Sequence, residues 1–543
     1  MRWCICIPSI ALMFAIGAQA DELQPAGIPV EKTIDHYVDS AIKANGISSA
    51  PMADDATFIR RVTLDLCGRI PTAAETREYV ESKTLDKREK LVDRLMQSSG
   101  FVRYQASEFD AMLMQGASNG RRGGGSLRDY LERSIASNRP WNEVFKDLIL
   151  PDDNDAAKKG AGEFLKPRLT DVDKLTTEVS ILFFGVNMSC ARCHDHPLVA
   201  DWKQDHFFGM KSFFNRTFDN GGFLAEREFG LVKFQTTKGQ NKDAQMMFLT
   251  GKVVSAPGMK EPTKDEEKKE KERFEEFKKK KAVPPPPKFS ARSAFVETAL
   301  QPEQRGYFSK AIVNRLWNRF FGLGLVNPVD QMHSENAPSH PELLEWLARD
   351  LVDHRYDLKR TIRGVVLSHA YGRSSRWDSN GEPPAAKWFA VARVRPLTPL
   401  QLANSLRIAT SDPQTFENTK PADLEKKIEQ IESSARGLAN MFEYPNDDFQ
   451  IGAGEALLFS NSDRMQKDLL ADGGDRLFSN LKKLKTNDQV VELTVSSILC
   501  RPATSYEKQM FNDFLAKRID RPADAQRQLV WAFLTTSEFR FNH

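Results

Sequence analysis

Residues 260–281 are almost wholly Lys, Glu and Asp, and Pro284–Pro287 follow closely behind. Burying such a run would strip water from many charges at once, so it has to lie in solvent. The parts of the chain that build a core therefore lie on either side of it. Glu267 with Lys271 and Glu276 with Lys280 stand at i,i+4 spacing, which predicts a solvated helix. The prolines predict a stiff spacer. A partner-binding surface is the second reading, but a charged connector at 259–288 is favoured, because a charge run is ordinarily a solvated face.

On both sides the apolar residues recur at helical spacing, and the fold class expected is mainly α. Ile34, Val38, Ala41 and Ile42 form one stripe, closed by Gly46; Phe58, Ile59, Val62 and Leu66 form another, ending near Gly68. Thr72 with Glu75 reads as a capping box opening a third helix, and Leu91, Val92, Leu95 and Met96 mark a fourth. Beyond the connector, Ile312, Val313, Leu316, Trp317, Phe320 and Phe321 share a face that Gly322 ends. Ser339 with Glu342 reads as a second capping box before Leu343, Leu344, Trp346, Leu347 and Leu351. Short β-leaning runs at 231–237 and 246–250 predict a small β insert over 217–258. Arg121–Gly125 reads as a flexible loop. A length of 543 residues calls for two or more units. The division expected is a helical domain at 21–216, the insert, the linker, and a second helical domain at 289–543.

The first twenty residues stand apart. Arg2 precedes an apolar stretch from Trp3 to Ala15, and Ala18-Gln19-Ala20 offers a small-x-small cleavage pattern, so 1–20 are expected to be a signal peptide. The stretch falls short of the roughly 20 apolar residues a membrane span needs, and no later segment reaches that length. The expected location is periplasmic or secreted. With 77 basic against 74 acidic residues, the charge gives no reason to expect a nucleic-acid partner. Outside the leader only Cys67, Cys190, Cys193 and Cys500 remain, too few for a disulfide-built scaffold.

Two of those cysteines sit in Cys190-Ala191-Arg192-Cys193-His194, the C-x-x-C-H pattern of c-type haem attachment. Thiols three positions apart can each bond to one vinyl group at the porphyrin edge, and the next imidazole can ligate iron from one face. Attachment of this kind follows export, in agreement with the leader. The segment continues Asp195-His196-Pro197, so a zinc or other transition-metal site on Cys190, Cys193 and one or both of His194 and His196 is the alternative. His206 and Met210, 12 and 16 residues beyond His194, are the further ligand candidates for the other face of iron, and a five-coordinate iron is also open. Cys67 and Cys500 are read either as a disulfide or as two buried thiols. Asp65 and Asn336 are read as helix-end caps, and Arg315 with Asp330 as a simple pair. No Ser-His-Asp order, paired carboxylates or phosphate-binding glycine loop names a hydrolase or transferase.

Residues 60–72 (Arg-Arg-Val-Thr-Leu-Asp-Leu-Cys-Gly-Arg-Ile-Pro-Thr) and 185–197 (Gly-Val-Asn-Met-Ser-Cys-Ala-Arg-Cys-His-Asp-His-Pro) resemble the planctomycete cytochrome-C-like domain of unknown function, of PSCyt type. Val313-Asn-Arg-Leu-Trp, Phe321-Gly-Leu-Gly-Leu-Val, Asn336-Ala-Pro-Ser-His-Pro-Glu-Leu-Leu and the ending Ser537-Glu-Phe-Arg-Phe-Asn-His resemble its C-terminal companion, of PSD type. The resemblance implies an exported protein with a cytochrome-like motif and no assigned reaction; a link to extracellular polymer breakdown is analogy. Cys67 stands where the family commonly has Thr and Cys500 where it has Ser, and this joint departure favours their pairing. His206 falls where an aromatic residue is expected. The leading expectation is a haem c protein for electron transfer with a periplasmic redox partner or a co-exported protein. A haem- or metal-dependent enzyme, and a scaffold with a structural metal site, are the alternatives.

Overall fold

Helix follows helix wherever the apolar spacing is 3–4, in a computed structural model that describes residues 23–115, 126–417, 419–445 and 467–543. The leader at 1–20 and the loop at 121–125 lie outside the described residues. The first half holds α1 (Val30–Ala44), α2 (Asp55–Cys67), α3 (Ala73–Glu81), α4 (Lys87–Gln97), α5 (Ser99–Leu113), α6 (Ser126–Ala136), α7 (Trp141–Ile149), α8 (Val172–Phe184) and α9 (Gln204–Lys211). Their ends are marked as the sequence predicts. Thr72 and Glu75 form the capping box of α3, and Gly68 closes α2 with φ 67°. A Cβ at Gly68 would also run into the Tyr104 ring, so glycine is required there twice over.

The β insert consists of two antiparallel pairs, β1 (Thr217–Asp219) with β2 (Leu224–Glu226) and β3 (Lys233–Gln235) with β4 (Asn241–Asp243). The run at 246–250 contributes only an isolated bridge, Met247 to Val253. Met246, Phe248 and Leu249 turn inward and are buried, so that segment packs a core instead of extending a ladder.

The charged segment is a helix, α10 (Lys264–Lys280), opened by a Thr263–Glu266 capping box. One residue on it is buried. Phe274 sets its ring edge-on against Phe218 at 4.8 Å, and its carbonyl accepts from the Asn220 side chain. Glu270 accepts the Glu228 backbone N–H. The connector thus lies along the β insert by one aromatic anchor, with Arg273 pairing with Glu228 beside it.

The second half holds α11 (Ala291–Ala299), α12 (Gly306–Phe321), α13 (Pro341–Asp353), α14 (Leu358–Leu367), α15 (His369–Gly372), α16 (Pro399–Ala409) and α17 (Pro421–Ala439), then helices from Leu477 to Arg540. The hydrophobic interior does not divide at the charged segment. Phe145, Phe183 and Phe184 pack with Phe295 and Phe308 in one core running from Val30 to Ala390. A second core gathers residues 397–539 and takes Leu64 and Ile70 from the first half. Amphipathic helices on either side of the connector each leave an apolar face open, and they close it on one another.

Between the two cores lies a buried polar seam built on α2. Asp65 is interior to that helix, not a cap, and 4% exposed. It accepts from Tyr371 Oη and Arg395 Nη2, both at 2.7 Å, and from Asn542 Nδ2 at 2.9 Å. Arg60 donates to the carbonyls of Glu538 and Phe539, and Arg61 to those of Tyr371, Arg373 and His543. Beside them β5 (Arg395–Pro396) pairs antiparallel with β6 (Phe541–Asn542). The closing motif of the chain is therefore docked on α2, in the first half of the chain.

The open choice at Cys67 and Cys500 is decided, and two further readings are corrected. Cys67 and Cys500 do not pair: each is a buried free thiol, Cys67 beside Ser98 Oγ and Cys500 beside Pro71 O and Arg60. They belong to different cores, and burial pushes them up to about 12 and about 11. The Ser339–Glu342 capping box does not form. His340 is the N-cap of α13 with no side-chain cap bond, and Ser339 Oγ meets His340 Nδ1 instead. Asn336 lies in the loop before α13, where its side-chain N–H groups donate to the carbonyls of Asn327 and Gln331.

His340 gives a pH prediction. Burial pushes it down to about 4, so the unfolded chain, with an ordinary histidine near 6.5, binds its proton first. Its contribution is whole above pH 6.5 and is lost as pH falls toward 4, by at most about 1.4 kcal/mol per unit. Urea midpoints of His340→Phe should therefore fall less steeply than those of the parent over that window. Parallel slopes would contradict the assignment.

No helix among the described residues is long and apolar enough to cross a membrane.

Candidate cofactor-attachment site

Helix α8 delivers the chain to the motif. Gly185 ends it with φ 67°, and Arg315 of α12 donates to its last carbonyls, Nη2 to Ile181 O at 2.6 Å and Nε to Leu182 O at 3.2 Å. Burial pushes Arg315 down to about 10. Its donors are engaged on a helix end, which corrects its reading as a simple ion pair with Asp330. Asp330 instead holds Asn187, its carbonyl accepting the backbone N–H at 2.8 Å and Oδ2 the side-chain amide at 3.3 Å. Val186 bridges Gln331, and Met332 N–H donates to Gly185 O. Residues 330–332 thus run antiparallel to 185–187, and the motif springs from that short ladder.

The motif is one 3-10 turn, Ser189–Arg192, pinned by two fully buried side chains, Met188 and Ala191. Cys190, Cys193 and His194 all face solvent. The N–H groups of Cys193 and His194 both donate to Cys190 O, at 3.2 and 3.4 Å, which closes the turn. Gln204 ties it down from α9, its side-chain amide donating to Cys193 O at 3.1 Å and its backbone N–H to Asp195 Oδ1 at 2.9 Å.

The imidazoles differ in which nitrogen is engaged. His194 Nδ1 lies 2.7 Å from Asp195 O. A carbonyl only accepts, so Nδ1 carries the proton and the lone pair sits on Nε2. His196 Nδ1 is the opposite case, accepting from the N–H groups of Leu198 and Val199 at 3.3 and 3.1 Å. His206 Nδ1 accepts from Lys203 N–H at 3.2 Å, and burial pushes this imidazole's pKa down. Neutral His196 and His206 therefore carry the proton on Nε2. Met210 is fully buried in the first core.

So the structure brings Cys190, Cys193 and His194 together on one exposed turn, while Met210 is fully buried. Among the described residues no group of three or more His, Cys, Asp or Glu is gathered as a ready-made metal site. Sequence reasoning missed the clamp from 327–336. Ser334 donates to Asp201 with both its N–H, at 2.9 Å, and its hydroxyl, at 3.0 Å, so the motif loop is gripped before and after the turn. No local spacing signals a contact between segments so far apart in the chain.

The family PSCyt2, described as a protein of unknown function (DUF1549), matches residues 33–219. PSD1, a protein of unknown function (DUF1553), matches 291–444. The chain carries a PSCyt2 match followed by a PSD1 match. The order is that expected from the sequence motifs, and the charged helix α10 falls between the two matches. No curated protein and no solved structure matches the chain significantly. The motif turn is PSCyt2, and the loop that clamps it lies in PSD1.

Proposed function

We propose that the PSCyt2–PSD1 chain is exported, loses residues 1–20, and carries one covalent c-type haem on Cys190 and Cys193 with His194 as iron ligand. Its role is electron transfer to or from a periplasmic redox partner. The observation that carries this reading is the exposed turn itself, on which two free thiols stand three positions apart beside an imidazole whose Nε2 lone pair is unengaged. This donor set fits the group. Both thiols are accessible for thioether formation, and the Nδ1–H bond to a backbone carbonyl is the support that usually orients a ligating histidine. When bound, haem supplies an iron that takes up and releases one electron at a time. The chain does the rest: Met188 and Ala191 anchor the turn, Gln204 and Asp195 fix its far side, and Asp195 O sets the His194 ring.

The test is a pyridine haemochrome assay on denatured, gel-purified protein co-expressed with c-type maturation proteins. The expected result is about one haem per chain in the parent and none in Cys190→Ala/Cys193→Ala. Absence of haem from the parent, in cells that mature a control cytochrome, would refute the reading. Stoichiometric zinc at the same residues would then replace it.

A further inference from the structure

Within the PSCyt2 domain none of the expected residues presents a free lone pair to the second face of an iron held by His194. Met188 and Met210 are fully buried in the core. His196 and His206 have Nδ1 accepting backbone N–H groups, so neither can offer Nε2 without giving up those bonds. One histidine in the loop that clamps the motif segment is in a different state. His333 sits between Met332, which is bonded to Gly185, and Ser334, which is bonded to Asp201. It therefore lies in the strand of PSD1 chain that grips both ends of the motif loop. Its Nδ1 is buried with no partner. No hydrogen bond fixes its tautomer, so it is free to place a lone pair on Nε2.

We infer that His333 supplies the second axial ligand, so that the haem is held between the two domains, by His194 from PSCyt2 and His333 from PSD1. The inference rests on the haem reading above. It gives the clamp at 327–336 a purpose beyond packing: those bonds hold the second ligand in register with the first.

The experiment uses the haem-loaded full chain and reads the iron directly, by visible absorption and electron paramagnetic resonance of the ferric state. The parent should be low-spin with two imidazole ligands. His333→Ala should become high-spin and bind carbon monoxide when reduced, and added imidazole should restore the low-spin spectrum. His196→Ala and His206→Ala should stay low-spin. His333→Met keeps a ligand in place and should raise the reduction potential, a readout that a merely structural role would not move. A high-spin parent, a low-spin His333→Ala, or loss of the low-spin state in His196→Ala or His206→Ala would overturn the assignment while leaving the haem reading intact. A parent with no covalent haem would overturn both.

Discussion

Replacing Asp65 by alanine is expected to destabilise the chain by about 3–5 kcal/mol, the range for removing one partner of a buried ion pair. Asp65 neutralises Arg395 and accepts from Tyr371 and Asn542, with its side chain 4% exposed. After truncation Arg395 keeps its bond to Arg319 O but loses its counter-charge, and two buried donors lose their acceptor. Asp65→Asn retains an acceptor and removes only the charge, so its loss should be smaller. Urea unfolding with matched slopes measures both. A loss below about 1 kcal/mol in Asp65→Ala would mean that the seam is hydrated and contributes little.

Cutting the chain after residue 288 is expected to abolish cooperative folding of the PSCyt2 half. Phe295 and Phe308 are each 0% exposed; Phe295 touches Phe145, Phe184, Phe213, Phe214 and Phe248, and Phe308 packs on Trp141 and Phe145. Losing a single buried Phe or Trp side chain typically removes about 3–5 kcal/mol. Losing two removes much of the ~5–15 kcal/mol by which a domain is stable. The 21–288 fragment should bind a hydrophobic dye and melt without a sharp transition. A sharp transition in the fragment, close to that of the full chain, would show that the shared aromatic core is dispensable.

Much of this architecture is legible in the sequence, and the reason is locality. The Thr72–Glu75 box, the Gly68 and Gly322 helix ends and the 3–4 stripes of α1, α2 and α12 follow from residues within one or two turns of each other. The C-x-x-C-H turn is equally local. What the sequence hides is where polar residues find distant partners. Asp65 looks like a helix-end residue until Arg395 and Asn542 arrive from the far end of the chain. Arg315 and Asp330 look like a pair until α8 and Asn187 claim them. Ser339 and Glu342 have cap spacing, yet Ser339 N–H goes to Leu325 O, and that contact moves the helix start to His340. Cys67 and Cys500 each meet a different core before they can meet each other. The charged connector marks the gap between the two family domains, and the packing ignores it because neither side can close its own apolar face.

If the chain is exported and covalently loaded at Cys190 and Cys193, its intact mass records both events. Intact-mass spectrometry under denaturing conditions tests that reading most directly, on protein recovered from the periplasm of cells carrying c-type maturation proteins. The predicted species is the chain cleaved after Ala20 with the mass of one haem added, which collapses to the bare chain in Cys190→Ala/Cys193→Ala. A parent that carries no added haem mass, in cells where a control cytochrome is matured, would contradict it.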